Sequence, residues 1–346
     1  MSPKQHHSET SQGELALLHR IRERASQTQT KSLRLGIGDD CALLKLRSGE
    51  ELAITTDLSI AGRHFRLDWH QPESIGHRAL ARGLSDLAAM GARPIAAFLS
   101  LGLPRELITP SSGRTSWVQR FLDGLLALGL ANKTPLAGGD LSESPLAIAD
   151  IVLTGAVPRG KALLRSGARP GHLIYVTGRL GGAAFGLERL ADFNKSICSQ
   201  SGKGDPPRIP KRLAAQLAPH LYPQPRLAQG LLLQQRSIAS AAIDISDGLS
   251  TDLAHVCEES RVAAQVDAEL LPVHPGATLD MALHGGEDYE LLFTACATAR
   301  VPKQIGGVPI TCIGRIVKAR GGTATVTFLT PQGPRPLDPQ GWQHFS

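Results

Sequence analysis

The sequence predicts an α+β protein with two domains. Its 346 residues exceed what one hydrophobic core usually supports. Hydrophobic residues make up 42% and charged residues 20%, which is typical of a globular chain with little disorder. Short aliphatic segments typical of strands are mixed with longer periodic segments typical of helices. They lack the regular alternation of a doubly wound sheet, which favours the α+β class.

The predicted strands are aliphatic segments that end near glycine or proline. They cover 51–57, 94–104, 149–158, 172–178 and 289–295. The predicted helices are longer and repeat apolar residues at helical spacing. They cover 72–91, 116–132, 181–192 and 247–260.

The predicted domain boundary follows residue 157, where VPRGKALLRSGARPG carries prolines and glycines. This boundary gives an N-terminal α+β domain over 13–157 and a C-terminal α+β domain over 158–346. The polar residues 1–12 are expected to be disordered. Segment 194–213 is rich in Ser, Gly, Pro and Lys, and is expected to form an exposed insertion.

Composition excludes several classes of protein. The net charge is +6, but Lys and Arg form no dense run and no nucleic-acid-binding motif is present, so no nucleic-acid partner is expected. The five cysteines include no Cys-x-x-Cys pair, which predicts reduced thiols. No stretch approaches the ~20 apolar residues of a membrane span, and the polar start lacks the apolar segment typical of a signal peptide. A cytoplasmic protein is therefore expected.

The distribution of carboxylates points most directly to function. Among the 31 acidic residues, several lie in apolar or glycine-bounded contexts, where Asp and Glu are rare unless paired or bound to a cation. Oxygen ligands without cysteine pairs favour Mg²⁺, which often shares its coordination with phosphate oxygens. The pattern therefore indicates nucleotide chemistry at a site with more than one ion. The residues are Asp39, Asp40, Asp57, Asp86, Asp140, Asp244, Asp247, Glu287 and Asp288.

Each carboxylate taken alone has a structural alternative. Asp247 could cap the helix that begins at Gly248, and Asp86 could pair with Arg82 one turn earlier. Asp39 or Asp140 could close a turn. The metal-site interpretation therefore depends on the carboxylates acting together.

Familiar phosphate and nucleophile motifs are absent. GAVPRGKA, 155–162, departs from a phosphate-binding loop because Ala162 replaces the metal-binding hydroxyl and Pro158 removes a backbone donor. TGRLGGAAFG, 177–186, lacks the glycine spacing of a dinucleotide-binding turn. No G-x-S-x-G elbow or Ser-His-Asp order supports nucleophilic hydrolysis.

Arg165 and Trp342 are polar or aromatic candidates outside the carboxylate set. Arg165, in a glycine-flanked loop, could present a guanidinium to a transferring phosphate or be an ordinary surface arginine. Trp342, in the polar C-terminal tail, could anchor that tail in a core or provide a stacking platform for a ligand ring.

Ordered motifs along the chain resemble those of the thiamine-monophosphate kinases. The resemblance runs from about residue 12 to residue 346 and is interrupted by 194–213. The motifs, in the order found in that family, are GIGDDCALL, TTD followed by AGRHF, LSDLAAMGA, GGD, RSGARPG, AIDISDGL, GGEDYEL and GWQHF.

The resemblance implies a two-domain α+β fold of the aminoimidazole ribonucleotide synthetase-like superfamily. It also implies a homodimer formed by sheet pairing of N-terminal domains. The implied enzyme is a thiamine-phosphate kinase that converts ATP and thiamine monophosphate into ADP and thiamine diphosphate. Transfer is expected to be direct and in line, with several Mg²⁺ ions as cofactors and ATP as co-substrate.

The family's functional residues can be matched one by one. The resemblance implies Arg165 as a phosphate stabiliser and no general base, because the acceptor phosphate is already ionised near neutral pH. The implied Mg²⁺ ligands are Asp40, Thr55, Thr56, Asp57, Asp86, Asp140, Asp244 and Asp247. The implied ATP contacts are Arg165, Ser246 and a turn at Gly139–Asp140. The implied thiamine monophosphate contacts are His64, Glu287 and Trp342.

Departures from the family pattern leave other functions open. Gly83 stands where many members have Asn, and Leu141 where many have Thr. The loss of the threonine hydroxyl beside Asp140 is expected to thin the coordination of one ion. One alternative is another ATP-dependent enzyme of the superfamily, a purine-precursor synthetase or a selenophosphate synthetase-like enzyme. The other is a catalytically silent nucleotide-binding paralogue.

Overall fold

The computed structural model describes residues 18–28, 30–109, 115–197, 206–319 and 323–341. These residues fall into two compact units. The first unit contains the described residues within Met1–Ser48, Ile54–Gly83 and Pro94–Gly155. The second contains those within Gly49–Ala53, Leu84–Arg93 and Ala156–Ser346. The single boundary expected after residue 157 stays a prediction.

Helices and strands alternate irregularly along the chain, so the predicted α+β class is confirmed. Up to residue 158 the elements are α1 (18–25), β1 (Leu33–Leu35), β2 (Leu43–Leu44), β3 (Glu50–Ile60), α2 (Pro72–Ala89), β4 (Arg93–Leu103), α3 (Arg105–Ile108), α4 (Trp117–Ala131), β5 (Leu136–Glu143) and β6 (Ile148–Pro158). The elements that follow are β7 (Leu173–Thr177), α5 (Gly182–Ile197), α6 (Lys211–Leu221), α7 (Leu227–Gln235), β8 (Ala241–Asp244), α8 (Leu249–Ser260), β9 (Ala263–Asp267), a 3₁₀ turn (Ala268–Leu270), α9 (Leu279–His284), β10 (Leu291–Ala295), β11 (Gln304–Ile305), β12 (Val308–Val317), β13 (Val326–Thr330) and β14 (Gly333–Pro336).

A four-stranded sheet in the order β3-β6-β4-β5 is the main sheet of the first half of the chain. Helices α2 and α4 of the first unit approach each other closely through glycine. A Cβ atom at Gly76 would lie 1.9 Å from the carbonyl oxygen of Phe121, and one at Gly124 would lie 1.8 Å from that of Glu73. Any side chain at these positions would force the two helices apart.

An eight-stranded sheet organises the second unit in the order β14-β13-β9-β12-β7-β10-β8, with β11 paired to β12. Its aliphatic core includes Ile174, Ile243, Leu253 and Leu292. Strand β8 lies at one end of this order and is antiparallel to β10. Asp244, the last residue of β8, therefore lies at the edge of the core.

All predicted strands and helices are present, with shifts of a few residues at their ends. The predicted exposed segment 194–213 was too wide at both ends. Helix α5 continues to Ile197 with Asn194 buried, and α6 begins at Lys211. Residues 198–205, which include Cys198, lie outside the described residues, as do 1–12. No described helix has the length and apolar character needed to cross a bilayer.

Candidate active site

The loop between β8 and α8 is held in place by one buried carboxylate. Asp252 Oδ2 accepts the backbone N–H groups of Ser246, Asp247 and Gly248, each at 3.1 Å. Gly248, the residue before α8, has φ 110°, which glycine adopts without strain. Because the amides of the loop donate to Asp252, the conformation of the loop is fixed before any ligand binds. Asp247 is not the N-cap, since that position belongs to Gly248.

Asp244 is a buried carboxylate that faces another carboxylate. Its residue is 4% exposed, and Ser85 Oγ donates a hydrogen bond to its Oδ2 at 2.7 Å. Burial and the negative charge of Asp86 raise the pKa of Asp244 to about 7, while the Ser85 bond and the Arg165 charge lower it. Such a pair is costly without a counter-charge. The carboxylate oxygens of Asp244 and Asp86 are therefore suitable ligands for a hard divalent cation.

The described residues supply only part of a cation's coordination shell. Within them, no group of three or more His, Cys, Asp or Glu side chains is close enough to hold a metal ion. Mg²⁺ commonly binds through one or two carboxylates and completes its shell with water and substrate phosphates. The pair Asp86 and Asp244 suits that mode of binding.

Asp252 has a perturbed carboxyl as well. Its residue is 2% exposed. Burial raises its pKa to about 8, with further contributions from Asp244 and Asp247, against the lowering effect of the loop amides. The negative charges around Ser246–Gly248 are thus concentrated in one small region of the second unit. Sequence reasoning read the carboxylates of IDISDGLSTD together as part of a metal cage but left Asp252 out of the ligands matched one by one, although an acidic residue in the first turn of a helix is a recognisable signal.

A second loop, 284–290, packs against the first. The Glu287 N–H donates to the Ser246 carbonyl at 2.7 Å, and the Tyr289 N–H donates to that of Ile245 at 2.9 Å. A Cβ at Gly286 would lie 2.5 Å from the Ser246 carbonyl oxygen, so glycine is needed for this approach. The motifs AIDISDGL and GGEDYEL therefore form one contiguous region.

Glu287 is presented by an unusual backbone conformation. Its φ is 67°, a left-handed value that is uncommon for a residue with a side chain. Its Oε2 lies 3.7 Å from Nδ1 of His220, whose side chain is 2% exposed, whereas that of Glu287 is 29% exposed. The carboxylate thus has a buried imidazole on one side and access to solvent, as a ligand contact requires.

Asp288 has a structural role rather than a ligand role. Its carboxylate accepts the Gly181 N–H at 2.6 Å and the Ala183 N–H at 3.0 Å, at the start of α5. Burial raises its pKa to about 7, against the lowering effect of these bonds. Because Asp288 is anchored to α5, the adjacent Glu287 is held in position.

Glu290 forms a buried network that the sequence did not predict. It is 4% exposed, accepts the Thr177 hydroxyl at 2.6 Å and pairs with Arg226. Gly178 is required beside it, because a Cβ there would lie 1.9 Å from Glu290 Oε1. An acidic residue directly before the apolar strand β10 was the available signal.

The candidate ligands of the first unit on strand β3 do not all lie on the same face of the strand. Thr55 and Asp57 alternate with Thr56, so Thr56 lies on the face opposite the other two. Asp57 is bound by Arg82 at 2.9 Å. Thr56 shares its face with the exposed side chains of Leu52, Ile54 and Leu58.

The expected turn at Gly139–Asp140 was wrong, because both residues lie within strand β5. β5 pairs in parallel with β4, and Asp140 is opposite Ser100. A Cβ at Gly139 would lie 1.8 Å from the Leu99 carbonyl oxygen. Glycine at position 139 therefore allows β5 to pair closely with β4. Asp140 is exposed on this strand.

The N-terminal acidic pair and His64 have local roles. Asp39 Oδ1 accepts the Asp40 N–H at 3.0 Å, which is the turn-closing role considered for Asp39, and Asp40 itself is exposed. His64 Nδ1 accepts the Ile60 N–H at 3.1 Å. This bond fixes the neutral ring as the Nε2–H tautomer.

The departures Gly83 and Leu141 occupy packed positions. A Cβ at Gly83 would lie 2.7 Å from Leu153 Cδ1, so an asparagine there would require Leu153 to shift. Leu141 pairs with Leu101 in the sheet.

The candidate residues are divided between the two units. Asp86, Arg165, Asp244, Ser246, Asp247 and Glu287 belong to the second unit. Asp40, Thr55, Thr56, Asp57, His64, Gly139 and Asp140 belong to the first. Arg165 is exposed, and its charge reaches Asp244. Trp342 lies outside the described residues.

Comparison with known proteins agrees with these motifs. Residues 38–158 match the family model for the N-terminal domain of AIR synthase related proteins. The chain is 39% identical to the thiamine-monophosphate kinase of Escherichia coli K12, over 96% of this chain and 98% of that protein.

Solved structures give the same relationship. The thiamine-monophosphate kinase of Stenotrophomonas maltophilia K279a is 38% identical, with a TM-score of 0.73 over 90% of this chain and 95% of that one. AaThiL complexed with AMPPCP and TMP is 30% identical, with a TM-score of 0.70 over 97% of this chain and 98% of that one. This chain belongs to the thiamine-monophosphate kinase family.

Proposed function

We propose that this chain transfers the γ-phosphoryl group of ATP to thiamine monophosphate, giving ADP and thiamine diphosphate. The observation that carries the proposal is the pair formed by the buried carboxylate of Asp244 and the half-buried carboxylate of Asp86, whose mutual repulsion calls for a cation. The relatives named thiamine-monophosphate kinase and the neighbour complexed with AMPPCP and TMP supply the substrates.

Catalysis in this proposal depends on positioning and charge rather than on proton abstraction. The acceptor is a phosphate monoester that is ionised near neutral pH, so no general base is assigned. Mg²⁺, when bound, would neutralise phosphate oxygens and allow two polyanions to approach. Asp244 and Asp86 would hold the ion, Ser85 would orient Asp244, and the exposed Arg165 would stabilise charge on the transferring group.

The remaining site assignments are part of the same proposal. Asp40, Asp57, Asp140 and Asp247 are proposed as further Mg²⁺ ligands, with Thr55 and Thr56. Thr56 is the weakest of these, because it lies on the opposite face of β3 from Thr55 and Asp57. The proposed ATP contacts are Arg165, Ser246, Gly139 and Asp140. The proposed thiamine monophosphate contacts are His64, Glu287 and Trp342.

A homodimer is proposed as the working form of the protein. Strand β3 stands at the end of the first sheet's strand order, and its outward side chains Leu52, Ile54 and Leu58 are 44%, 61% and 46% exposed. A row of apolar side chains on an edge strand favours pairing with another chain. A cytoplasmic location is proposed because ATP, the co-substrate, is a cytoplasmic metabolite.

The experiment that tests the function is a coupled ADP-release assay with purified protein, ATP and Mg²⁺. Thiamine monophosphate, thiamine and no acceptor are compared. Release that depends on thiamine monophosphate supports the proposal. Release of ADP in the arm that contains no acceptor would favour another ATP-dependent reaction. ATP binding with no release under any condition would favour a catalytically silent paralogue.

A further inference from the structure

The loop that carries Arg165 is held by one hydroxyl at the end of helix α8. Ser260, the last residue of that helix, donates through Oγ to the Arg165 carbonyl at 3.1 Å. The same Oγ accepts the Ala168 N–H at 3.1 Å. A serine hydroxyl can donate and accept at once, so one side chain satisfies a carbonyl and an amide of the loop. The two hydrogen bonds restrain the loop at both ends of residues 165–168.

Packing fixes the same loop against the start of strand β8. The φ of Gly167 is 120°, which glycine adopts without strain. A Cβ atom at this position would lie 2.2 Å from the carbonyl oxygen of Ser240, the residue before β8. The next side chain, that of Ala168, is buried in the aliphatic core of the second unit. The loop is therefore held by packing as well as by hydrogen bonds.

These contacts place Arg165 beside Asp244. The Ala242 N–H donates to the Leu164 carbonyl at 2.8 Å, so the residue before Arg165 pairs with strand β8. Asp244 is the last residue of that strand and lies ~7 Å farther along it. Burial and Asp86 raise the pKa of Asp244, and the charge of Arg165 lowers it. The guanidinium thus lies within electrostatic reach of the buried carboxylate.

The guanidinium of Arg165 is exposed and available to a ligand. The carbonyl of Arg165 is bound by Ser260, whereas none of the residues that the structure describes accepts a hydrogen bond from the guanidinium. Asp244 and Asp86 require a cation at the same place. A free anion would be repelled by these carboxylates, but a phosphate that is bound to the cation can also accept from the guanidinium. The mixed charges therefore suit a metal-bound polyphosphate.

We infer that Ser260 is a positioning residue that holds Arg165 beside Asp244, where the guanidinium meets the phosphates of magnesium-bound ATP. The inference rests on the proposed function. A loose loop would lose conformational entropy when its guanidinium binds a ligand, and the two Ser260 hydrogen bonds remove part of that cost in advance. Because Ser260 acts through Arg165, its loss should weaken ATP binding only while the guanidinium is present.

The first variant is Ser260→Ala, which removes both hydrogen bonds and adds no new group. Calorimetry measures Kd for magnesium–ATP and for magnesium–tripolyphosphate, which lacks the base and the ribose. We expect both Kd values to rise about fivefold, while KM for thiamine monophosphate stays within about twofold of the wild-type value. Ser260→Thr keeps the hydroxyl and should restore both Kd values. Ser196→Ala on α5 is the matched control, because Ser196 Oγ also donates to a carbonyl near a helix end, that of Phe193 at 2.7 Å.

A double-mutant cycle separates positioning from a general structural role. Arg165→Ala alone should raise both Kd values about tenfold or more, as for loss of a charged hydrogen-bonding group. In that background, Ser260→Ala should change them by less than about 1.5-fold, because the residue that it positions is absent. Equal effects of Ser260→Ala with and without Arg165 would overturn the inference, as would unchanged Kd values in the single variant.

Gly167→Ala is the independent second variant, because it leaves Ser260 intact and displaces the loop through the added Cβ. Hydrogen exchange of residues 163–172 reports on the loop directly and does not depend on catalysis. Faster exchange together with weaker magnesium–ATP binding in both variants supports the inference. Unchanged exchange in Ser260→Ala would overturn it.

Failure of the proposed function gives a different result. A wild-type protein that binds magnesium–ATP but forms no thiamine diphosphate would refute the proposed function, and the two Kd values would still decide the role of Ser260. A wild-type protein that binds neither magnesium–ATP nor magnesium–tripolyphosphate would overturn the inference itself.

Discussion

Ser85 Oγ donates a hydrogen bond of 2.7 Å to Asp244 Oδ2 inside the second unit. This bond joins the LSD motif of helix α2 to the end of strand β8. Its energetic role is clear from the surroundings of Asp244, where burial and Asp86 both oppose ionisation. The Ser85 hydroxyl counteracts them and fixes the orientation of the carboxylate.

Ser85→Ala should shift the pH dependence of activity. The hydroxyl stabilises the ionised form of Asp244, so its loss raises a pKa that is already about 7. The cation-binding carboxylate would then form at higher pH. We expect the acidic limb of kcat/KM to move upward by ~0.5–1 pH unit, with a higher Mg²⁺ requirement at neutral pH. Ser196→Ala, on the exposed end of α5, is the control; identical profiles for both variants would contradict the role of Ser85.

Asp244→Asn should abolish phosphoryl transfer without unfolding the protein. The amide lacks the charge needed to hold a cation, so kcat/KM should fall by ~10³-fold or more. Stability should be equal or higher near neutral pH, since the variant removes a buried charge that faces Asp86. Transfer assays and thermal unfolding measure the two effects. Near-normal turnover would refute Asp244 as a ligand, and Asp192→Asn on α5 serves as the matched control.

Asp252→Ala should damage both stability and cation binding. The substitution leaves the amides of Ser246, Asp247 and Gly248 without their buried acceptor, which should cost ~3 kcal/mol of unfolding free energy. Asp252→Asn keeps an acceptor oxygen and should cost less. Urea denaturation gives the free energies, and calorimetry with Mg²⁺ and ATP gives binding. Equal stability of the alanine variant and the wild type would show that the loop does not depend on Asp252.

Asp288 should make the protein less stable as pH rises from about 4 to about 7. Burial raises its folded-state pKa to about 7, above the ordinary value of 3.8. Between these values the folded state keeps a proton that the unfolded state has released. The unfolding free energy therefore falls with pH, by at most ~1.4 kcal/mol per pH unit from this group.

Asp288→Asn removes that titration, so its unfolding free energy should depend less on pH than that of the wild type. The two proteins are compared by urea denaturation at about pH 5 and about pH 7.5. The quantity compared is the change in unfolding free energy between the two pH values in each protein. The absolute free energies are not compared, because the variant also weakens the Gly181 and Ala183 hydrogen bonds at both pH values. An equal pH effect in both proteins would contradict the account of Asp288.

Local pattern predicted the principal elements and the Asp244 region, because a carboxylate in an apolar strand is conspicuous. The same reasoning failed at Gly139–Asp140. GGD has the composition of a turn, but glycine at that position allows β5 to approach Leu99 closely, and such a tertiary contact leaves no local trace. Thr56 illustrates a different limit, since strand alternation separates it from Thr55 and Asp57 although the three are consecutive.

The residues that sequence reasoning missed act through folding over long separations. Ser85 meets Asp244, and Glu290 meets Thr177 and Arg226, only after the chain has folded. Asp252 is close in sequence to the amides it binds, but that role depends on the loop turning back over the first turn of α8. Hydrogen bonds of this kind are set by tertiary structure and have no periodic signature.

The most direct test of the central claim is to follow the label from [γ-³²P]ATP in the presence of Mg²⁺ and thiamine monophosphate. Products are separated by chromatography. The account predicts label in thiamine diphosphate, at its terminal phosphate, with an equal amount of ADP formed and none of this product from Asp244→Asn. Label recovered only as inorganic phosphate, or thiamine diphosphate formed equally well by Asp244→Asn, would contradict the account.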